Sequence, residues 1–521
     1  MLPAIYFVFS RKGCETSMAS CQKVIRLTLD EAERLERRID QALIETPSLN
    51  SHPHLPLLYE GLACHHAGLL PAWKALVERL YQEGHIKVVF ATETLAAGIN
   101  MPARTTVIGS LSKYTGDGHR ILNASEFLQM SGRAGRRGMD SVGYVVTLFH
   151  PKEPVTAALK LAKAKSDPLE SNFKPTYGMV LNLLQRHSLE QCRNLVEQSF
   201  GQFLMEQGEH RQDLVRAEQE AAALREPICP AELGDLPAYK KYNERYQTLI
   251  KQSRNLGHSP KKSQVNRELE RMRAQREEIV AHIDASPCHD CHLHTPCAER
   301  RSRLYTLETW MKRETARARS GETPYWKQFL GLTSVLQELD YLNAASQGEN
   351  SWECKPTPTG ELAGALRASH IVLLAEAVSS GILDRLDPAE LAAALTCLVN
   401  DESRALEGFK TKLSHRMQEA LHDLVDLARA LERLQKRFQV DLPIRVVPGY
   451  AGVVLRWANG EDWWETLQWS GMEAGDLVRA LRRTIDILRQ LSFAPNVPPA
   501  IAQACHVAEK QLMRGELKES I

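Results

Sequence analysis

No stretch of about 18 consecutive apolar residues occurs in the chain, so no segment reads as a membrane-spanning helix. The N-terminus also lacks the basic segment followed by an apolar one that marks an export signal. Charge of one sign is not in excess: 65 Lys and Arg stand against 64 Asp and Glu, leaving a formal charge of +1. Bulk charge therefore advertises no nucleic-acid partner, and any such site must come from local clustering. Aromatics make up only 6% of residues, which suits a helix-rich chain better than a β-sandwich. The 11 cysteines are mostly isolated, which fits a reducing compartment rather than a disulfide framework. These absences lead to the expectation of a soluble, unexported, cytoplasmic protein with no membrane partner. Sizeable cores remain available, because 43% of the residues are hydrophobic. A length of 521 residues exceeds one ordinary domain.

Residues 1–155 alternate short β-rich runs with helical stretches. "AIYFVFS" (4–10) is a continuous apolar run, and "HIKVVFAT" (85–92), "TTVIGS" (105–110) and "GYVVTLF" (143–149) are three more predicted strands. Residues 14–43 between them read as helix. This alternation predicts a parallel sheet with helices on both faces, and ligands belong at the carboxyl ends of such strands. Strand signals then become scarce. Residues 156–204 read as the first part of a winged-helix module, and 205–325 as a helical hairpin inserted into it. Residues 326–370 read as the module's second part, and 371–521 as a helical C-terminal domain.

Four polar turns follow elements of the first domain: "FVFSRKG" (7–13), "GLACHHAGLLP" (61–71), "ATETLAAGINMPA" (91–103) and "QMSGRAGRRGMD" (129–140). In the last, Gly132, Gly135 and Gly138 permit tight turning, and the spacing of Arg133 and Arg136 predicts that both project from one side of a helical turn. Two converging guanidiniums suit a polyphosphate, while a basic surface turn in salt bridges is the plainer alternative. Small residues after Thr92, through Gly98 and Asn100, let a backbone approach a ligand.

On these four segments the chain resembles the second RecA-like domain of superfamily 2 helicases, with "FVFSRKG" similar to motif IV, "ATETLAAGINMPA" to motif V and "QMSGRAGRRG" to motif VI. "HHAGL" and "GINMPA" resemble the DExH RNA helicases related to exosome helicases, of the bacterial and plastid DEVH type. "SNFKPTYGMVLNLL" is similar to that family's winged-helix entry, and "GDLVRALRRTIDILRQL" (475–491) to its C-terminal DSHCT domain. The resemblance implies an α/β RecA-like parallel-sheet domain followed by winged-helix and mostly α-helical domains. It implies ATP-dependent translocation on single-stranded RNA, with ATP and Mg²⁺ as cofactors. Arg136 would be the arginine finger, Arg133 its neighbour on the γ-phosphate, and Gln129 would help close the site. Gly98, Asn100 and Gly132 would lie near the nucleotide. Ser10, Arg11, Gly68 and Thr92 would contact the nucleic-acid backbone, a sequence-independent grip. Ribonuclease or ribosome-associated partners follow from the same resemblance.

No G-x-x-x-x-G-K-[ST] and no DExH occurs in the 521 residues, so the phosphate cradle and the Mg²⁺ carboxylate are absent from them. The expectation is the C-terminal portion of a helicase, without ATPase alone, whose first RecA-like domain comes from another chain or from sequence outside this one. A non-enzymatic RNA-binding scaffold and a DNA helicase fragment remain alternatives.

The helix predicted at 475–491 has an apolar face of Leu477, Val478, Leu481, Ile485 and Leu488. Opposite stand Arg479, Arg482, Arg483, Asp486 and Arg489, either a solvated face or, by the resemblance, a nucleic-acid channel lining. Tryptophans 457, 463, 464 and 469 read as core rather than as base-stacking platforms. "SPCHDCHLHTPCAER" places Cys288-x₂-Cys291 before Cys297, with histidines between. This is zinc-like spacing, with His294 or His292 as fourth ligand, or else a reduced turn capping the hairpin.

Overall fold

The computed structural model describes residues 2–96, 101–115, 118–151, 153–206, 209–226, 228–229, 236–256, 262–289, 291, 293–319, 323–347, 351–400 and 413–519. Contacts divide the chain into two compact units. One comprises Met1–Glu170, Pro175–Cys192 and Gln328–Ile521, the other Ser171–Lys174 and Arg193–Lys327.

The first unit opens with β1 (Ala4–Phe7), β2 (Leu62–His65), β3 (Val88–Ala91) and β4 (Thr105–Ile108). A two-stranded antiparallel hairpin of β5 (Ser112–Thr115) and β6 (Gly118–Ile121) precedes β7 (Tyr144–Thr147). β1 to β4 and β7 form one parallel sheet in the order β2-β3-β1-β4-β7. The four strands predicted from apolar runs are present. β2 is a fifth, inside a segment expected as a polar turn. Its histidines hid it: His65 and its successor His66 are both buried, and His65 Nε2 lies 2.7 Å from Glu78 Oε1. Residues 14–43 are not one helix but parts of two, Arg11–Ser20 and Leu29–Glu45. Lys23 adopts a left-handed φ of 67° between them. Thr28 and Glu31 then form a reciprocal capping box that starts the second helix. Ile5 and Phe7 of the central strand and Val89 and Ala91 beside them are sealed in the core. β7, at the sheet edge, keeps Tyr144, Val145 and Val146 exposed.

Further along this unit, helix Tyr177–Leu184 packs on helix Pro358–Ala365, beside an antiparallel ribbon of β8 (Leu342–Gln347) and β9 (Ser351–Pro356). Helix Pro388–Val399 is apolar and buried all round, as a central core helix must be. Its alanines let helices Tyr450–Ala458, Ala474–Phe493 and Pro499–Leu512 pack closely round it. Thr396 and Thr484 satisfy each other inside that core, Oγ1 to Oγ1 at 2.8 Å.

The second unit is built of long helices. Leu236–Leu256 packs along Lys262–Asp284, and Glu209–Arg225 along His294–Arg319. Its apolar cluster is thin: Tyr239, Leu249, Ile279, Ile283 and Cys288, flanked by Tyr242, Tyr246, Met272, Cys297 and Ala298. Among the described residues no helix is long and apolar enough to cross a membrane.

Candidate functional site

Three of the four polar turns follow the carboxyl ends of β1, β2 and β3, as the α/β rule predicts. The fourth does not. Arg133 and Arg136 precede β7 and sit at the amino edge of the sheet, where Ala103, just before β4, bridges to Ala134. Ala103 N–H donates to Arg133 O at 2.8 Å, and Gly135 N–H to Ala103 O at 2.7 Å.

On the carboxyl edge, Ser10 caps helix Arg11–Ser20, its Oγ accepting from Gly13 N–H at 3.1 Å. Arg11 reaches across to the start of helix Ala474–Phe493, donating to Glu473 Oε2 at 2.8 Å and Asp476 Oδ2 at 2.5 Å. Burial alone would lower the Arg11 pKa, but hydrogen bonds and charge from Asp476 and Glu473 outweigh it and the net shift is upward. Beside this pair, Gly68 O accepts from Gly475 N–H at 2.8 Å. A Cβ on Gly475 would stand 2.2 Å from Ala67 O and 2.6 Å from Leu69 O, so only glycine allows this approach. Thr92 is half-buried, with its Oγ1 2.9 Å from Thr94 Oγ1 and its N–H donating to His65 O at 3.3 Å. The structure thus gathers Ser10, Arg11, Gly68 and Thr92 on one rim and sets the head of helix Ala474–Phe493 against it.

That helix buries Leu477, Val478, Leu481, Ile485 and Leu488, the predicted apolar face. Each such burial contributes about 1.5–3 kcal/mol before entropic costs. The opposite face is more mixed than its sequence suggests. Arg479 pairs with Asp476 at 3.1 Å, Arg489 with Glu509 at 2.7 Å, and Asp486 accepts from Gln490 at 2.7 Å. Arg483 and Asp486 are exposed, while half-buried Arg482 has a buried Nε without a hydrogen-bond partner. Lys74, on helix Pro71–Gln82, completes a cationic corner: burial first, with Arg479 and Arg482 adding, lowers its pKa despite Glu78. The sequence pattern did not single out Lys74, because its neighbours Arg479 and Arg482 lie far along the chain from it.

On the amino edge, helix Ala124–Ser131 is opened by an Asn123–Glu126 capping box and closed at Gly132. Gln129 lies exposed on it. The expected helical turn carrying both arginines is not there. Gly135 takes a φ of 88° and Gly138 of 77°, left-handed backbone that ends helical continuation. Arg133 therefore hydrogen-bonds the Ala96 carbonyl, whereas Arg136 folds onto Asp140. That pair is bidentate, Nε to Oδ2 at 2.8 Å and Nη2 to Oδ1 at 2.9 Å, and Arg136 N–H also donates to Oδ2 at 3.0 Å. The hydrogen bonds from Arg136, outweighing burial, hold the Asp140 carboxyl down at about 2. Asp140 was visible in the quoted motif only as an i,i+4 partner. Gly98 and Asn100 lie outside the described residues.

The remaining candidates fall away from both rims. Trp457 and Trp463 are buried against each other, ring centroids 5.2 Å apart, and Trp457 Nε1 donates to Leu512 O at 3.0 Å. They are core, as expected, whereas Trp464 and Trp469 are only half-buried. In the second unit Cys288 is buried, Cys291 and Cys297 are half-buried, and all are free thiols. The His294 side chain and His292 lie outside the described residues. Among the described residues no three His, Cys, Asp or Glu side chains already stand as a metal-holding group.

Comparison with known proteins finds two matching domains. The helicase conserved C-terminal domain matches residues 22–138, and the DSHCT (NUC185) domain matches residues 353–516. "Probable helicase HelY" of Mycobacterium tuberculosis (strain ATCC 25618 / H37Rv) is 44% identical over 210 residues, covering 39% of this chain and 23% of that protein. "DExH-box ATP-dependent RNA helicase DExH15 chloroplastic" of Arabidopsis thaliana is 42% identical over 223 residues, 39% of this chain and 19% of its own length. "Exosome RNA helicase MTR4" of Mus musculus is 43% identical over 206 residues, 39% of this chain and 20% of its own. Less than a quarter of each relative is thus spanned.

Proposed function

Because the chain belongs, as a C-terminal part, to the DExH helicases related to HelY and MTR4, we propose that it forms the second half of an ATP-dependent RNA helicase. The observation that carries this reading is the docking of helix Ala474–Phe493 on the rim of Ser10, Arg11, Gly68 and Thr92, through Arg11 and the Gly68–Gly475 contact. Hydroxyls, backbone amides and the Lys74, Arg479 and Arg482 corner there suit the sugar-phosphate backbone of a single strand.

Nucleotide chemistry belongs to the segment Gln129–Asp140, whose Arg133 reaches back to the Ala96 carbonyl. Arg133 and Arg136 supply guanidiniums that neutralise charge developing on a transferring phosphoryl group. The phosphate cradle and the Mg²⁺ carboxylate come from a first RecA-like domain encoded outside these 521 residues, in the same or another polypeptide. The residues present fit ATP and Mg²⁺ only as that complementary half. Closure of such a cleft would turn Arg136 toward the nucleotide, and opening would shift the strand past Arg479 and Arg482.

The test is RNA-stimulated ATPase with the chain alone and with an added G-K-[ST]-bearing domain. Turnover only in the mixture supports the reading, and robust turnover by the chain alone refutes it. RNA binding that is steeply salt-dependent yet unaffected by ATP in the mixture would instead indicate a scaffold. Tighter binding of DNA than of RNA of equal length would move the substrate to DNA.

A further inference from the structure

The hairpin of β5 and β6 carries two cations that converge on one carboxylate. Lys113 and Arg120 stand directly opposite each other in its antiparallel ladder, so their side chains leave on one face. Both reach Glu126, the acidic member of the capping box that opens helix Ala124–Ser131. Lys113 Nζ lies 2.6 Å from Glu126 Oε1, while Arg120 donates from Nη2 to Oε1 at 2.6 Å and from Nη1 to Oε2 at 2.9 Å. Lys113 Nζ also donates to Glu93 Oε2 at 2.6 Å.

Glu93 follows Thr92 directly and begins the short helix Glu93–Ala96. The other end of that helix is tied as well, since Ala96 O accepts from Arg133 Nη2. Two links thus fasten residues 92–96 to the helix and turn at 124–133, one through Lys113 and one through Arg133 itself. The hairpin is held from behind by Glu153, whose buried carboxylate accepts from Ser110 Oγ at 2.5 Å, Leu111 N–H at 2.8 Å, Ser112 N–H at 3.1 Å and Ser112 Oγ at 2.7 Å. Lys113 therefore projects from a pinned strand. Only 15% of its side chain and 13% of that of Glu126 is exposed, so solvent and salt screen this pair less than they would a surface pair. Burial alone would raise the Glu126 carboxyl, but hydrogen bonds from Arg120, Lys113 and Asn123 N–H outweigh it and hold it at about 2.

We propose that Lys113 is a positioning residue that conveys occupancy of the strand rim at Thr92 to the arginine segment 129–140, and so sets how strongly a bound strand stimulates nucleotide turnover. This role rests on the helicase reading above and names the residue that regulates it. A strand that displaces Thr92 displaces Glu93 with it. Lys113, bonded to Glu93 and Glu126 at once, passes that shift to the helix from whose end Arg133 departs. Without the ammonium, two carboxylates would face each other with no cation between them, and the short helix would lose its tie to the capping box. Arg120 is the built-in control, because its guanidinium bonds Glu126 and Ile121 O.

The experiment follows hydrogen exchange in the whole chain, with and without saturating single-stranded oligouridylate. The RNA should slow exchange across 124–133 by about fivefold or more, the lower end of ordinary coupling between sites. Lys113→Met should abolish that slowing while RNA affinity stays within about twofold. Lys113→Arg should restore part of it, and Arg120→Met should leave it in place. If Lys113→Met fails to fold, Glu93→Ala breaks the same link from its more exposed end. With an added G-K-[ST]-bearing domain, Lys113→Met should bring RNA-stimulated turnover down to the RNA-free rate and leave the RNA-free rate itself unchanged. Slowing that survives Lys113→Met or Glu93→Ala overturns the role, as does oligouridylate that binds the unaltered chain without slowing exchange at 124–133. Equal loss in Arg120→Met also overturns it, since Lys113 would then be one of two interchangeable neutralising charges. A chain that binds no oligouridylate refutes the strand rim itself and the link with it, a failure seen before any variant is made.

Discussion

Replacing Gly475 by alanine puts one methyl group where helix Ala474–Phe493 meets the loop after β2. Its Cβ would lie 2.2 Å from Ala67 O, 2.6 Å from Leu69 O and 2.9 Å from Gly68 C, all backbone atoms that no side-chain rotation can clear. The helix head must lift, which costs about 1–3 kcal/mol as overpacking. Lifting also breaks the 2.8 Å bond from Gly475 N–H to Gly68 O, worth about 1 kcal/mol. Alanine's better helix propensity offsets about 1 kcal/mol at most. The net loss is about 1–3 kcal/mol, with Arg11 drawn off Asp476. Gly68→Ala is the informative partner, because the three atoms nearest its Cβ all belong to the Glu473 side chain, whose carboxylate end can swing away. That change should cost about 1 kcal/mol or less, the worth of one half-exposed ion pair. Gly178→Ala, whose Cβ meets only Ile371 Cδ1 at 3.4 Å, is the neutral control. Urea denaturation ranks the three, and hydrogen exchange at the Gly475 amide reports the junction directly. A Gly475→Ala chain as stable as the unaltered one, with unchanged exchange at that site, would refute the docking described here.

Arg136→Ala and Arg136→Lys should each lower RNA-stimulated turnover in the reconstituted enzyme by about 10³-fold, since Lys cannot bridge two oxygens, with RNA affinity nearly unchanged. Lys74→Ala should weaken RNA binding across all sequences and reduce the salt slope by about 1, read from filter binding across a salt series. His52, stacked on Trp73 with ring centroids 3.6 Å apart, is pushed from its ordinary 6.5 down to about 3, chiefly by burial and further by His54 and His66. A depressed histidine contributes stability that is complete above 6.5 and is lost as pH falls from there through about 3. The urea midpoint should therefore drop between pH 7 and 5, and His52→Phe should flatten that drop; an identical slope in both chains would count against this assignment.

Much of the fold was legible because periodicity and burial agree. The runs at 4–10, 85–92, 105–110 and 143–149 each hold a strand of the sheet. β2 was not legible, since its cysteine and histidine read as polar until Glu78 and the core around them are known. The β5–β6 hairpin escaped because "SKYT" and "GHRI" carry little apolar signal. The four site segments were readable as motifs, but their conformations were not. Nothing local shows that left-handed Gly135 separates Arg133 from Arg136. No local pattern joins Arg11 to Asp476, because that contact depends on how distant helices pack.

The bidentate Arg136–Asp140 pair engages Nε and one hydrogen of Nη2, and Nη1 takes no part in it. A guanidinium carries five N–H donors in a fixed plane, so one partner does not exhaust it. Asp140 therefore holds the plane of the guanidinium still, and an anion can be met along its Nη1 edge without the carboxylate being given up.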